Sequence, residues 1–134
     1  MFNILIIECL TEIRENLSEF LELEGYNVLT TDNAESGIKI ALNKKPDIIL
    51  CDILLPGKSA YRVLNAILAN QETKYIPFII ISILSEKQNI NEALLSGATA
   101  YLVKPFEPEL LLDTIKKYLK PASLVEGEKN SDIY

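Results

Sequence analysis

Five short apolar runs constrain this chain more than any other feature of its sequence. "NILII" (3–7), "NVLTT" (27–31), "DIILC" (47–51), "PFIII" (77–81) and "TAYLV" (99–103) punctuate it from one end to the other. Between them lie stretches with helical periodicity. Leu10, Ile13, Leu17, Phe20 and Leu21 recur at helical spacing until Gly25, a C-terminal stop. "DNAESGIKIALNKK" (32–45) reads as a helix capped by Asp32 or Asn33 and closed before Pro46. The proline–glycine loop "LLPGKS" precedes a helix from about Ala60 to Ala69, and a fourth helix runs from about Glu86 to Ser96, ending at Gly97. The last carries Pro108 in its first turn and continues through Leu111, Leu112, Ile115 and Leu119. Strands this apolar suit a parallel sheet covered on both faces. Five strand–helix units in series therefore predict an α/β fold, doubly wound, with right-handed crossovers.

At 134 residues the chain is read as one domain, residues 1–120. The segment "PASLVEGEKNSDIY" (121–134) has no sustained period and is expected to be a flexible tail or linker. The net charge is −6, and the densest basic spots, "NKK" (43–45) and "IKKYLK" (115–120), are ordinary helix ends or faces. Direct nucleic-acid binding, which needs a concentrated positive footprint, is not expected. The chain has no histidine, which excludes histidine-based acid–base, metal or phosphohistidine chemistry. Cys9 and Cys51 match neither a disulfide framework nor a zinc spacing, and no signal-type or membrane-length segment is apparent. The expected compartment is the cytoplasm, with no membrane partner.

In an open parallel sheet, ligands bind beyond the carboxyl ends of the strands. There the first strand delivers Glu8–Cys9, the third Asp52, the fourth Ser82 and the fifth Lys104–Pro105. Polar groups abutting apolar runs are costly unless a site uses them. The set suits phosphoryl chemistry. Asp52 is a candidate nucleophile toward phosphorus. Glu8 and Asp52 are candidate oxygen ligands for a hard divalent cation such as magnesium. Lys104 and Ser82 can neutralise or hydrogen-bond phosphoryl oxygens.

These residues resemble the receiver domain of two-component response regulators over residues 3 to about 119. The resemblance rests on "PDIILCDILLPG" (46–57) and "GATAYLVKPF" (97–106). It implies a flavodoxin-like fold with strand order 2-1-3-4-5, Asp52 as phosphoacceptor, and Ser82, Lys104 and Tyr101 as phosphoryl-binding and switch residues. It further implies Mg2+ held by Glu8, Asp52 and the Leu54 backbone carbonyl, and a cis Lys104–Pro105 bond. The partners implied are a histidine kinase or phosphotransfer protein upstream and a protein or output domain downstream. The signal would leave through the face built from the fourth helix, fifth strand and fifth helix.

Three positions depart from that pattern. Cys9 stands where the family's second acid would ligate magnesium directly. A thiol is mostly neutral at pH 7 and is a soft ligand. Unit charges ~4 Å apart interact by about 4 kcal/mol at an effective dielectric of 20, and about 1.4 kcal/mol is a factor of ten in affinity. Weakened or absent magnesium binding is the expectation. Ile83 replaces a small residue and is expected to narrow access to the site. Ala60 replaces a glycine, implying a modest backbone adjustment unless the position needs a positive φ. Both have plain packing explanations, and Cys9 can equally be a small buried apolar group. A Cys9–Cys51 redox pair would need favourable geometry.

The leading reading is a phosphoaccepting receiver, not an enzyme beyond magnesium-dependent self-phosphorylation and slow autodephosphorylation. The alternative is a degenerate receiver acting as a phosphate-independent interaction or dimerisation module, a homodimer included. A flavin binder on the same architecture would want a richer phosphate loop than "ECLTE", which offers only Thr11.

Overall fold

Alternation along each strand decides which helices cover it. The computed structural model describes residues 1–119, so the expected tail at 121–134 lies outside the described residues. The elements are β1 (Asn3–Ile7), α1 (Thr11–Leu23), β2 (Asn27–Thr31), α2 (Ala34–Lys44), β3 (Ile48–Asp52), α3 (Ser59–Leu68), β4 (Phe78–Ser82), α4 (Lys87–Leu95), β5 (Ala100–Val103) and α5 (Pro108–Leu119). A 3-10 turn at Pro56–Lys58 leads into α3. All strand pairs are parallel, in the order β2-β1-β3-β4-β5. The fold is the doubly wound, flavodoxin-like one expected.

Side chains at odd and even positions of a strand point to opposite faces. Leu5 and Ile7 of β1, Ile49 and Cys51 of β3 and Tyr101 of β5 form one core with Ala41 of α2, Val63 and Ile67 of α3 and Ile90 of α4. Ile4, Ile6, Ile48, Leu50, Ile79, Ile81 and Leu102 form the second, closed by Leu21 of α1 and Leu111 and Ile115 of α5. Strands buried on both sides need apolar residues at every position, which is why their runs are continuous.

Two strand ends lie one residue later than the sequence predicts. The ladder carries on through Asp52, opposite Ile81, and through Ser82, opposite Val103. Both polar residues are thus the last rungs of their strands rather than loop residues. Asn33 caps α2, its side-chain oxygen accepting from the Ser36 amide at 2.8 Å, which decides between Asp32 and Asn33. The Lys104–Pro105 bond is cis. Ala60 sits in the first turn of α3, fully buried. Among the described residues only Lys45 combines a side chain with positive φ, so position 60 does not call for glycine on backbone grounds.

Candidate functional site

The alternation that sorts the cores also sorts the polar residues at the strand ends. Glu8, Asp52 and Lys104 continue the even-numbered positions that face α1 and α5. There Lys104 Nζ lies 2.8 Å from Glu8 Oε1 and 2.7 Å from Asp52 Oδ2. Glu8 is fully buried and Asp52 nearly so. The remaining carboxylate oxygens have backbone donors. Leu54 N–H donates to Asp52 Oδ1 at 2.7 Å, and Leu10 N–H lies 3.3 Å from Glu8 Oε2. Every oxygen of the two carboxylates therefore has a partner within the chain, as burial demands.

Burial pushes the Glu8 carboxyl above its ordinary value; Lys104 pulls the other way, and the nearby Asp52 adds to the rise. Burial alone would pull the Lys104 ammonium down. Its contacts with Asp52 and Glu8 outweigh that and hold it above its ordinary value. Lys104 is thus firmly charged, while Glu8 feels both its own desolvation and a like-charged neighbour.

Ser82 and Tyr101 make a second, adjoining group. Ser82 is fully buried, its Oγ accepting from the Leu84 amide at 3.0 Å. The buried Tyr101 donates its hydroxyl to the Leu84 carbonyl at 2.7 Å. Burial raises the Tyr101 hydroxyl above its ordinary value against a lowering contact with Ser82, and the Asp52 charge contributes to the rise. The two groups thus share an electrostatic field across neighbouring strand ends.

Cys9 does not join either group. It is half-buried and packs against the α2–α3–α4 core, on the side opposite Glu8. Both cysteines are free thiols, so the redox pair is absent from this structure. Burial drives the Cys51 thiol far above its ordinary value, with Asp52 and Glu8 contributing. Ile83 is largely exposed, at 62%.

Glu8 and Asp52 supply the hard oxygen donors that suit a cation such as magnesium. Among the described residues, no group of three or more His, Cys, Asp or Glu side chains gathers to hold one. The donor chemistry fits magnesium through two carboxylates, without help from the thiol. Several contacts were not legible in the sequence. Leu54 meets Asp52 through its amide, and Arg14 Nη1 donates to the Glu8 carbonyl at 2.8 Å.

A nearly buried carboxylate at the end of the central strand is met by a lysine that follows the edge strand, at the carboxyl edge of an open parallel sheet. The chain belongs to the response regulator receiver domain family, whose model matches residues 4–116. It is 33% identical to the protein PilH of Pseudomonas aeruginosa over 119 residues, 89% of this chain and 98% of PilH. It is 42% identical over 114 residues to the transcriptional regulatory protein KdpE of Staphylococcus aureus, covering 84% of this chain and 48% of KdpE. The chain therefore spans about half of that relative and nearly all of PilH. Among solved structures, the chemotaxis response regulator CheY4 of Vibrio cholerae superposes with a TM-score of 0.82 at 27% identity, covering 88% of this chain and 98% of CheY4. Receiver domains are signalling modules rather than enzymes in the usual sense. No helix among the described residues is long and apolar enough to cross a membrane.

Proposed function

We propose that this chain accepts a phosphoryl group on Asp52 from a histidine kinase or phosphotransfer protein and passes the change to a protein partner or output domain. The observation that carries the reading is the Lys104 ammonium 2.7 Å from Asp52 Oδ2, a cation positioned beside the oxygen-rich group that Asp52 would receive. In the transfer, an Asp52 carboxylate oxygen forms a bond to phosphorus while the bond from phosphorus to the donor breaks, the electron pair leaving with the donor. Ser82 supplies a hydroxyl within the adjoining cluster, and Tyr101 links that cluster to Leu84. The α4–β5–α5 face is the natural output, because Tyr101 belongs to β5 and Leu84 leads into α4. Glu8, Asp52 and the Leu54 carbonyl would hold magnesium, which supplies charge neutralisation at the phosphoryl oxygens when bound. The receiver domain of the sensor histidine kinase PA1611 has magnesium coordinated in its active-site cleft. Here the thiol at position 9 makes that binding weak. The two free thiols support a cytoplasmic site of action.

One observation favours the second reading, a phosphate-independent interaction module. Cys9 packs into the core away from Glu8, leaving the site one acid short. Intact-mass detection of phosphoryl incorporation from a small phosphodonor, with and without magnesium, decides between them. Incorporation that Asp52→Ala abolishes supports the phosphoacceptor. Incorporation in Cys9→Asp but not in the natural chain supports the module.

A further inference from the structure

Among the described residues, the large apolar side chains left exposed lie at the two edges of the sheet. Leu10, Leu54 and Ile83 are at the carboxyl edge, beside Asp52. Met1, Phe2, Leu23, Leu68, Tyr75 and Leu95 are at the opposite, amino edge, where strands begin and helices end. Apolar surface concentrated away from the chemistry marks a place where something docks.

Three of these residues surround one junction. Leu68 closes α3 and Leu95 closes α4. A methyl group on Gly97, two residues past Leu95, would lie 2.6 Å from Leu68 Cδ1, so the two helix ends meet there. The loop that carries Tyr75 is pinned to the same junction. Buried Thr73 donates its hydroxyl to the Ile67 carbonyl at 2.8 Å, and the Phe78 amide donates to Thr99 Oγ1 at 2.9 Å. Tyr75 and Leu95 nevertheless stand 83% and 88% exposed. Three ammonium groups accompany them. Lys74 Nζ lies 5.0 Å from the centre of the Tyr75 ring, and Lys44 and Lys45 end α2 beside this loop. The acids facing them are Glu72, which pairs with Lys45, and Glu92, one turn before Leu95. The junction thus carries a surplus of positive charge in a chain of net charge −6.

The chain supplies a segment of matching chemistry. α5 runs opposite to the strands and ends at this same edge, at Leu119, and residues 120–134 follow it. That segment carries the apolar pair Leu124–Val125, followed by Glu126 and Glu128. The five residues from Leu119 to Leu124 span at most about 17 Å. α5 packs on the core that Ile79 of β4 and Leu102 of β5 share, and neighbouring strands lie only about 4.8 Å apart. The pair therefore reaches the amino ends of β4 and β5. We propose that Leu124 and Val125 dock on the Leu68–Tyr75–Leu95 junction of their own chain, with Glu126 and Glu128 toward the lysines. The contact ties the last turn of α4 to the end of α5, from the edge farthest from Asp52. It does not depend on Asp52 accepting a phosphoryl group.

Amide NMR of the full chain at low concentration tests the contact from both sides. Replacing Tyr75→Ser and Leu95→Ser together is expected to speed amide exchange at 124–126 severalfold. Replacing Leu124→Ser and Val125→Ser together is expected to shift the amides of 74–76 and 95–98, at the junction itself. The first pair is exposed, so the fold should survive its loss. Should that variant fail to fold, the second pair reads the same contact. Equal exchange at 124–126 in natural and variant chains, or a junction that does not respond to the second pair, overturns the proposal. Shifts that appear only as concentration rises, with a doubled molar mass in sedimentation, would seat the segment on a second copy and overturn the intramolecular contact. Failure of phosphoryl incorporation at Asp52 would overturn the functional reading and leave this result standing.

Discussion

The Tyr101 hydroxyl donates to the Leu84 carbonyl at 2.7 Å, while the Tyr61 hydroxyl, also buried, has no hydrogen-bond partner. The two tyrosines pack against the same core, so Tyr→Phe at each isolates the hydroxyl. Tyr101→Phe is expected to cost about 1 kcal/mol, which lowers the melting midpoint by about 4 °C in a domain of this size. Tyr61→Phe removes an unsatisfied buried group and is expected to be neutral or stabilising by about 1 kcal/mol. Thermal unfolding of both variants checks the pair, and equal destabilisation would contradict it.

Alkaline stability follows from the same residues. Burial is the main cause that raises the hydroxyls of Tyr26, Tyr61 and Tyr101 above the ordinary value of 10.0. The unfolded chain then gives up these protons at lower pH than the native one. Their contribution to stability is fully present below the ordinary value and is lost as pH rises through the folded values. The melting midpoint should fall as pH rises above about 10, and less steeply in Tyr101→Phe. Thermal unfolding across the alkaline range checks this, and a midpoint that does not fall would count against the burial argument.

The thiols should behave unequally. Cys51 is fully buried in β3, with its ionisation suppressed by desolvation, whereas Cys9 is half-buried. Reaction requires an accessible thiolate. An alkylating reagent applied to the native protein should modify Cys9 alone, with Cys51 reacting only after denaturation. Mass spectrometry of digested protein distinguishes the sites. Rapid native modification of Cys51, or an oxidised Cys9–Cys51 link, would refute this arrangement.

Gly25 and Gly97 follow α1 and α4 with φ of 97° and 112°. A methyl group at 25 would meet nothing within 4 Å, whereas at 97 it would fall 2.6 Å from Leu68 Cδ1. Gly25→Ala therefore carries the backbone penalty alone, about 1 kcal/mol. Gly97→Ala adds a collision with the far end of Leu68, a partly exposed side chain that can turn aside, so the added cost is small, about 0.5–1 kcal/mol. Chemical denaturation measures the difference, which vanishes if Leu68 moves freely.

The sheet was legible because strands buried on both faces leave continuous apolar runs, and the helices because their periodicity breaks at Gly25, Pro46 and Gly97. Strand ends were less so. Asp52 has poor strand propensity, yet pairing opposite Ile81 keeps it in the ladder, and such context outweighs propensity. Glu8, Asp52, Ser82, Tyr101 and Lys104 were singled out from sequence, but not their sorting into two adjoining groups. Glu8 and Cys9 are adjacent in the chain and belong to opposite faces, a distinction carried by strand parity rather than by residue type. Arg14 at the Glu8 carbonyl and the Leu54 amide at Asp52 depend on loop paths that no periodicity encodes.

Access to Asp52 supplies the last prediction. Leu10, Leu54 and Ile83 are large apolar residues, 56%, 46% and 62% exposed, on the loops that follow β1, β3 and β4. Each loop leaves the sheet at its carboxyl edge, where Asp52 ends β3, so this edge carries exposed apolar surface. Such surface hinders a small hydrated donor yet offers contact area to a protein donor. Ile83 packs little in the folded chain, so Ile83→Ala should change stability by no more than about 0.5 kcal/mol. Its initial rate of phosphoryl incorporation should rise severalfold with a small phosphodonor and fall with a phosphorylated protein donor. Opposite signs would mark Ile83 as a selector of donor size. A parallel change with both donors would place its effect on the chemistry at Asp52 instead.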